Sequence, residues 1–307
     1  MSTNDERFIC YDELGLCCPE EPSSFYVSDK KKKPMEIYMF IDPLCPECWA
    51  LEPIIKKLQM DYSPYFTLRT LLGNELKSLN QPCGSKKEAH LKQLAKMFNE
   101  TASRTGMPCD GDVWYENNPT TPYSAIIAIK AAELQGKAIG SKYLRRLRES
   151  LFVHKQNIAE ENVLIECAKK VNGMDIKEFQ KDLHSQSAMK AFKSDVNTTK
   201  EMDVTTVPTL VFFSDDVDEP GLKVSGLYDY SVYVDIMKDM IVDDLEKCPP
   251  MQLESFLQFY SLVASKEISV VFDWSKEEVE KEMKKLQIMQ KVEKVPVKYG
   301  TLWHYIG

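Results

Sequence analysis

Two cysteines separated by two residues are the strongest chemical signal in this sequence. They stand in the segment Cys45-Pro-Glu-Cys-Trp49, which directly follows an apolar run over 35–41 and begins a helical pattern. Free backbone N–H groups and the helix dipole stabilise a thiolate at a helix N-terminus, which favours Cys45 as a nucleophile. Cys48 lies one helical turn later, where it can resolve a mixed disulfide formed by Cys45. The spacing therefore indicates thiol–disulfide chemistry.

Two points limit the interpretation of this motif as a strongly oxidising cysteine pair: the charge of Glu47 and the possibility that the cysteines bind a metal. Glu47 places a carboxylate beside the nascent thiolate, so we expect a less oxidising pair than one with His or Lys at that position. Zinc is the other interpretation of this cysteine spacing, but a structural zinc site takes four ligands. The sequence has no second C-x-x-C and no H-x-H. We therefore predict no zinc at Cys45 and Cys48.

The elements that must position these cysteines follow from hydrophobic periodicity. The runs over 35–41 and 65–72 predict strands, with a helix from Pro46 between them. Pro53 should kink this helix, because proline lacks an N–H and its ring clashes with the preceding turn. Helical patterns fill about 85–202, strand patterns return over 206–213 and 222–225, and an amphipathic helix is predicted over 230–245. This order predicts an α/β thioredoxin topology with a helical insertion.

Val207-Pro208-Thr209 supplies the second half of the predicted site. In this topology a cis-proline loop faces the cysteine pair, and the residue before the proline can pair with an extended peptide by strand addition. Since only about one X–Pro bond in twenty is cis in folded proteins, the prediction depends on the position of Pro208 at the start of a strand. We predict Cys45, Cys48 and Pro208 as the redox-type site, and Val207 with Pro208 as a partner contact.

The segment after Cys248-Pro-Pro250 predicts a small C-terminal domain. Helices over 254–264 and from Ser275, a short element over 266–272 and a hairpin over 291–306 form a winged-helix-like pattern. Residues 248–307 contain eight Lys and eight acidic residues, and the candidate recognition helix begins with several glutamates. Glutamates at that place would repel DNA phosphates. We predict a protein-contact module, with a purely structural appendage as the alternative.

Composition excludes some classes of function. The chain has 307 residues, a net charge of −8 and a pI near 5.3, which argues against a nucleic-acid partner. No apolar run is long enough to span a membrane, and residues 1–22 are acidic without an apolar segment, so we predict no signal peptide and a cytoplasmic location. In that compartment nine cysteines do not imply a disulfide framework.

The remaining cysteines have weaker interpretations. Cys10, Cys17 and Cys18 lie in a segment rich in Pro, Ser and Lys, and they could bind metal, become oxidised or remain idle. Cys83 and Cys109 lie in predicted loops and could be redox-sensitive, whereas Cys167 lies on the apolar face of a helix and is predicted to be core. The predicted parts of the chain are a flexible segment over 1–34, a thioredoxin domain over 35–247 with its insertion over about 85–202, and a winged-helix-like domain over 248–307.

Several segments in order carry a family resemblance. The stretch Phe40-Ile-Asp-Pro-Leu-Cys-Pro-Glu-Cys-Trp49 resembles the DsbA-like branch of thioredoxin-fold proteins. With the segments around it, the chain from Lys33 onward is similar to the SpxH (YjbH) family. The other matching segments are Glu36-Ile-Tyr-Met-Phe40, Leu51-Glu-Pro53, Ala131-Ala-Glu-Leu-Gln-Gly136, Glu149-Ser-Leu-Phe-Val153, Asp182-Leu-His-Ser-Gln-Ser187 and Val263-Ala-Ser-Lys-Glu-Ile268.

The resemblance implies an adaptor of Gram-positive bacteria that binds the transcription regulator Spx and promotes its degradation by the ClpXP protease. Tails in that family can be rich in His and Cys and are linked to zinc, whereas residues 1–34 here contain three Cys and no His. We predict no cofactor, and zinc on Cys10, Cys17 and Cys18 stays an open alternative. The alternative function is a cytosolic thiol–disulfide oxidoreductase that uses Cys45 and Cys48.

Overall fold

The computed structural model describes residues 8–11, 16–19, 33–73, 86–216, 218–241 and 245–307, with the backbone alone at 8–11, 16–19 and 86. The strands are β1 Phe8–Tyr11, β2 Leu16–Pro19, β3 Met35–Phe40, β4 Phe66–Leu71, β5 Thr209–Ser214, β6 Leu222–Ser225, β7 Leu262–Ala264, β8 Val292–Val295 and β9 Leu302–Tyr305. The helices are α1 Pro46–Ala50, α2 Glu52–Tyr62, α3 Lys86–Thr105, α4 Val113–Glu116, α5 Tyr123–Leu134, α6 Lys137–Phe152, α7 Glu161–Lys169, α8 Ile176–Asp182, α9 Gln186–Glu201, α10 Tyr230–Met240, α11 Leu253–Tyr260, α12 Ser265–Phe272 and α13 Lys276–Ile288.

Strand β3 lies in the middle of a four-stranded sheet with the order β4-β3-β5-β6 in the described part of the chain. It pairs parallel with β4 and antiparallel with β5, so that Ile37 lies opposite Leu68 on one side and Phe212 on the other. Parallel strands need a crossover connection, and α1 with α2 forms it between β3 and β4. The sheet and its crossover make the thioredoxin-like arrangement that the sequence predicts.

Apolar side chains cover both faces of this sheet. Ile37 and Met39 of β3 are buried in the main core, which extends into the helical insertion. Phe40 belongs to a smaller cluster with Leu71 and Val211, because neighbouring residues of a strand point to opposite faces. Burial on both faces explains why β3 is a nearly continuous apolar run.

The helix that follows β3 is divided at Leu51. α1 ends before this residue, and α2 begins after it with Pro53 in its first turn. Because proline has no N–H and its ring clashes with the preceding turn, a regular helix cannot continue through Pro53. The amides of Ile54 and Ile55 instead donate to the Leu51 carbonyl at 3.0 and 3.1 Å. The kink predicted at Pro53 is confirmed as this break, which leaves a separate short helix to carry the cysteines.

The insertion between β4 and β5 is helical, as predicted, and α5 is its most enclosed element. Residues Ala125 to Ala132 are all buried, as expected of a helix that others surround. Gly136 has a φ of +133° and separates α5 from α6, a conformation that glycine adopts without a side-chain clash. Trp49 of α1 stacks on Phe152 of α6 at 5.5 Å between ring centroids, which connects the insertion to the cysteine helix.

The C-terminal part adds a three-stranded sheet with the order β7-β9-β8. Its core includes Phe256, Met283 and Trp303 and also contains Met60 of α2. Helix α12 packs along α2, so the C-terminal part lies on the crossover helix of the four-stranded sheet. The order of helices and hairpin agrees with the predicted one and adds β7, and the winged-helix classification stays a prediction.

Three predicted element boundaries are wrong. The helix predicted over 254–264 ends at Tyr260, Ser261 has a φ of +64°, and Leu262–Ala264 pairs with β9. A short apolar run suits either state, and the distant strand decided between them. The helix predicted over 230–245 ends at Met240. The strand predicted from residue 206 begins at Thr209, after the proline that cannot donate to a ladder.

The N-terminal segment predicted to be flexible contains a hairpin. β1 pairs antiparallel with β2. The run Phe8-Ile-Cys-Tyr11 contains β-branched and aromatic residues, which favour strands. The prediction of a flexible segment considered the Pro, Ser and Lys content of residues 1–34 and overlooked this run. Cys83 lies outside the described residues. Among the described helices, none combines the length and the apolar character needed to cross a bilayer.

Candidate functional site

Cys45 is the N-cap residue of α1. Its backbone is extended, and its sulfur accepts the Cys48 amide at 3.3 Å. Pro46 occupies the first turn of the helix, where no N–H is required. The Cys45 sulfur therefore lies at the positive end of a helix, with Cys48 one turn away, as the sequence predicts.

The Val207–Pro208 peptide bond is cis, which confirms the prediction for Pro208. The Cys45 thiol donates toward the Val207 carbonyl oxygen at 3.8 Å, across 162 positions of sequence. The fold thus brings Cys45, Cys48, Val207 and Pro208 together. Val207 is half-buried and Pro208 is buried, so a partner at this loop would reach the backbone of Val207 before the proline ring.

Burial distinguishes the two cysteines. Cys45 is 6% exposed and Cys48 is 1% exposed, and both are free cysteines. Burial raises the pKa of Cys48 well above its usual value, and the neighbouring Cys45 raises it further. Because a protonated thiol is a poor nucleophile, this geometry favours Cys45 over Cys48 for the first attack on a partner. The arrangement can perform thiol–disulfide exchange with a partner that reaches Cys45.

Glu47 has a counter-charge that sequence reasoning missed. Arg104 donates from Nη2 to both carboxylate oxygens at 2.5 Å, and the Thr101 hydroxyl donates to Oε1 at 2.7 Å. Both partners lie near the C-terminal end of α3, and Arg104 is 57 positions away in sequence. A guanidinium at this distance offsets the carboxylate charge. It therefore weakens the reason for expecting Glu47 to make the pair less oxidising.

Asp42 is a second residue of the site that sequence reasoning missed. It is fully buried, its carbonyl accepts the Cys45 amide at 3.2 Å, and its Oδ1 accepts the Leu44 amide at 2.7 Å. Its Oδ2 has no hydrogen-bond partner among the described residues. Burial raises the pKa of Asp42 to about 7, against the Leu44 amide and the charge of Arg148, which both lower it. The available signal was an acidic residue directly after a buried strand.

Cys109 and Cys167 are buried. Burial raises the pKa of Cys109, and Asp110, Cys45 and Glu47 raise it further, so Cys109 belongs to the surroundings of the pair. The raised pKa favours the protonated thiol, which is less reactive, and the predicted redox sensitivity of Cys109 stays a prediction. Cys167 is core, as predicted, and its sulfur lies 3.0 Å from the Ser150 hydroxyl.

The cysteines of the N-terminal hairpin were predicted as a possible metal site. The Cα atom of Cys10 lies opposite that of Cys17 in the register, with Cys18 next to it, and their side chains lie outside the described residues. Three cysteines supply at most three of the four ligands of a structural zinc site. The side chains that are described contain no group of three or more metal ligands. Zinc on these cysteines stays the open alternative to the predicted absence of a cofactor.

A buried cluster of ion pairs joins the site's domain to the C-terminal part. Arg145 of α6 pairs with Glu52 of α2 and with Glu267 of α12, and Lys56 of α2 also pairs with Glu267. Arg145 donates from Nη2 to the Leu262 carbonyl at 2.9 Å. Burial would raise the pKa of Glu267, but Arg145 and Lys56 outweigh it and lower the pKa to about 2. Sequence reasoning did not predict this cluster, whose members come from three separate helices.

The fold is similar to solved thioredoxin-type structures. A family model described as Thioredoxin matches residues 38–235. A Nitrosomonas europaea chain, provisionally described as a protein disulfide isomerase, superposes with a TM-score of 0.58 at 17% identity and covers 68% of this chain and 97% of its own. A probable DsbA oxidoreductase from Streptomyces coelicolor gives 0.52 at 15% identity and covers 71% of this chain and 93% of its own. At these identities the likeness shows the DsbA-type fold alone.

Curated relatives align over most or all of the chain. The chain is 50% identical over 307 residues, 100% of both chains, to the ClpXP adapter protein SpxH of Halalkalibacterium halodurans. The protein of the same name from Bacillus subtilis is 51% identical over 274 residues, 89% of each chain. The one from Shouchella clausii is 46% identical over 299 residues, 97% of this chain and 96% of the relative. The alignments include both the cysteine pair and the C-terminal part.

Proposed function

The chain belongs to the SpxH family, whose members carry the name ClpXP adapter protein, and from this membership we propose that it is an adaptor of the ClpXP protease. The observation that carries the proposal is the 50% identity over the whole length of a relative with that name. We further propose that its client is the transcription regulator Spx, which the name of the relatives includes, and that it acts in the cytoplasm.

An adaptor needs binding and no bond-making chemistry. It brings client and protease together, which raises the effective concentration of one for the other, or it favours a client conformation that the protease can engage. Neither effect requires exchange at Cys45 and Cys48. We therefore expect adaptor activity to persist when both thiols are removed.

A reconstituted degradation assay tests this function. Purified ClpX, ClpP, ATP and Spx are incubated with and without the chain, and the loss of Spx is followed on gels. We expect faster loss with the wild type and the same acceleration with Cys45→Ala/Cys48→Ala. Circular dichroism melting shows that the variant is folded. If the wild type does not accelerate the loss, the adaptor function is wrong. If only a folded double variant fails, the adaptor works through its thiols.

The client contact is proposed at Val207 and Pro208. An extended client segment could pair with the backbone of Val207, as peptides add to sheet edges elsewhere. In the same assay, Val207→Arg should slow Spx loss, since a long charged side chain would obstruct that pairing. An unchanged rate would place the client on another face.

Thiol–disulfide exchange is the second candidate function. The observation that favours it is the Cys45 thiol, 3.8 Å from the Val207 carbonyl and beside a cis proline. Reduction of insulin disulfides with dithiothreitol as the reductant measures this activity. Acceleration by the wild type and none by Cys45→Ala/Cys48→Ala would support it, and equal rates would oppose it.

A further inference from the structure

A cavity of about 360 Å³ lies beside the cysteine pair, where the sheet, the helical insertion and the C-terminal part meet. Met39 of β3 and Leu68 of β4 line it, as do residues of α2 and α6, and Tyr260 comes from the end of α11. Cys48 also lines it, so the cavity reaches the buried side of the pair. Its volume is within the range of roughly 300–1,000 Å³ that is typical of small-molecule sites.

Arg148 gives this cavity a buried cation with unused donors. The side chain is 2% exposed, and its Nη1 donates to Glu52 at 2.8 Å. Among the described residues, Nε and Nη2 have no hydrogen-bond partner. Both nitrogens are also closed to solvent, so a ligand in the cavity meets the charge of this guanidinium and does not contact these donors. Because Glu52 also pairs with Arg145, it offsets the positive charge only in part.

The charges around the cavity favour an anion. Lys142 and Lys170 line it, are exposed, and have no carboxylate within ion-pair distance among the described residues. Glu52 is the only acidic residue of the lining in the described part of the chain, and it is already paired with Arg145 and Arg148. A negative ligand therefore meets a net positive surface.

The rest of the lining is apolar. Ile55, Leu144 and Val171 join Met39 and Leu68 in the wall. These side chains would cover the hydrocarbon part of a ligand and remove its apolar surface from water, which favours binding. The lining thus combines an apolar wall with a convergent set of cations.

We propose that this cavity binds a small amphipathic carboxylate. Lys142 and Lys170 attract its carboxylate at the entrance, the buried charge of Arg148 adds to this attraction, and its apolar part packs on the wall formed by Met39 and Leu68. The size of the cavity favours a small molecule over the C-terminus of a peptide, which carries the same chemistry. The proposal does not depend on the adaptor function.

Calorimetric titration of the whole chain tests it, with octanoate and 4-phenylbutyrate as probes. We expect saturable binding of at least one of them with one site per chain. Acetate lacks the apolar part and 1-octanol lacks the carboxylate, so each should bind at least about tenfold more weakly than the better acid.

Charge variants connect the binding to this cavity. Lys142→Glu/Lys170→Glu should raise the Kd of the better acid roughly tenfold. The matched control is Lys137→Glu/Lys190→Glu, which makes the same change of charge at exposed lysines outside the lining and should leave the Kd unchanged. Ala138→Trp fills the cavity without changing charge and should abolish binding. Melting temperatures of all variants show whether they are folded.

Each other outcome overturns the proposal. Absence of saturable heat with both acids, or an equal loss in the two charge variants, would show that no such site exists here. Acetate or inorganic phosphate binding as tightly as octanoate would remove the role of the apolar wall. A peptide with a free C-terminal carboxylate that binds more tightly than octanoate and displaces it would assign the cavity to peptide termini.

Discussion

At the scale of single residues, the cysteine pair lies where its spacing predicts, with Cys45 at the N-terminus of a helix and Cys48 one turn later. The charged groups around the pair were not predicted. Glu47 faces Arg104, which offsets a charge that sequence reasoning treats as isolated. Asp42 is buried three positions before Cys45, with a pKa raised to about 7 by burial. Both facts depend on which atoms surround a carboxylate, and neither changes the position of Cys45 at the helix N-terminus.

Asp42 makes stability depend on pH. An aspartate in an unfolded chain has a pKa of about 3.9, and the folded value is about 7. Between these values the folded state binds a proton that the unfolded state does not, so the unfolding free energy falls as pH rises from about 4 to about 7. Asp42→Asn keeps an acceptor for the Leu44 amide and carries no charge. We expect it to be more stable than the wild type at pH 8, on the order of 1–3 kcal/mol, and equally stable near pH 4.

Urea unfolding at pH 4, 6 and 8 measures this difference. Asp235→Asn, at an exposed position, is the control and should change stability by no more than about 0.5 kcal/mol. A less stable Asp42→Asn at pH 8 would contradict the prediction, because it would mean that the buried carboxylate is charged and stabilised by Arg148.

At the scale of elements, the sequence predicts the principal sheet and helices, and contacts between elements correct their ends. Pro53 divides α1 from α2 through a local effect that is readable from the sequence. Strand β7 needs β9 as its partner, so a pattern over neighbouring residues favours a longer helix instead. Helix α12 was predicted as a short element, but its link to α6 through Glu267 and Arg145 needed the assembled fold.

Glu267→Gln tests that link between α12, α6 and α2. The change leaves Lys56 and Arg145 buried with less compensating charge, so we expect a loss of roughly 3–5 kcal/mol at pH 7. The folded pKa of Glu267 is lowered to about 2, below the value of about 4.3 in an unfolded chain. Its stabilising contribution is therefore complete above about pH 4.3 and is lost as pH falls toward 2.

Urea unfolding at pH 7 and pH 3 checks both parts of this prediction. The difference between wild type and Glu267→Gln should shrink at pH 3. Glu277→Gln, an exposed position on α13, serves as the control and should be nearly neutral. A Glu267→Gln protein as stable as the wild type at pH 7 would show that the cluster does not hold the elements together.

At the scale of the whole molecule, the C-terminal part shares its core with the rest. Met60 of α2 lies in the C-terminal cluster, and Leu262 and Leu302 lie in the main core. A chain ended after residue 247 would expose Met60 and leave Arg145 and Lys56 without Glu267. We expect this chain to unfold at a lower urea concentration than the full chain, with a loss of several kcal/mol, and to bind more of the dye anilinonaphthalene sulfonate.

Urea unfolding of the two chains, followed by tryptophan fluorescence, measures this effect. An unchanged midpoint and slope for residues 1–247 would mean that the C-terminal part is an independent domain, as the sequence predicts from its pattern of helices and hairpin. A loss of stability would mean that the two parts fold as one unit.

The sequence by itself determined the features that neighbouring residues control. Strand and helix periods, the geometry of proline and the spacing of Cys45 and Cys48 are local, so the thioredoxin-like order, the break at Pro53, the cis Pro208 and the hairpin of β8 and β9 could be predicted. The cysteine motif alone does not distinguish an adaptor from an oxidoreductase. The resemblance of several segments in order indicated the SpxH family, and relatives that align over most or all of the chain confirmed it.

Only the tertiary structure decided the features that depend on burial and distant charge. Two of these features are ion pairs between separate segments, namely Arg104 with Glu47 and Arg145 with Glu267. The other two are buried polar groups without a hydrogen-bond partner among the described residues, namely Asp42 Oδ2 and the Nε and Nη2 atoms of Arg148. The energy of a charge is set by the solvent that is excluded from it and by the charges within a few ångströms. Neither quantity can be read from the order of residues, because both arise when distant elements pack together.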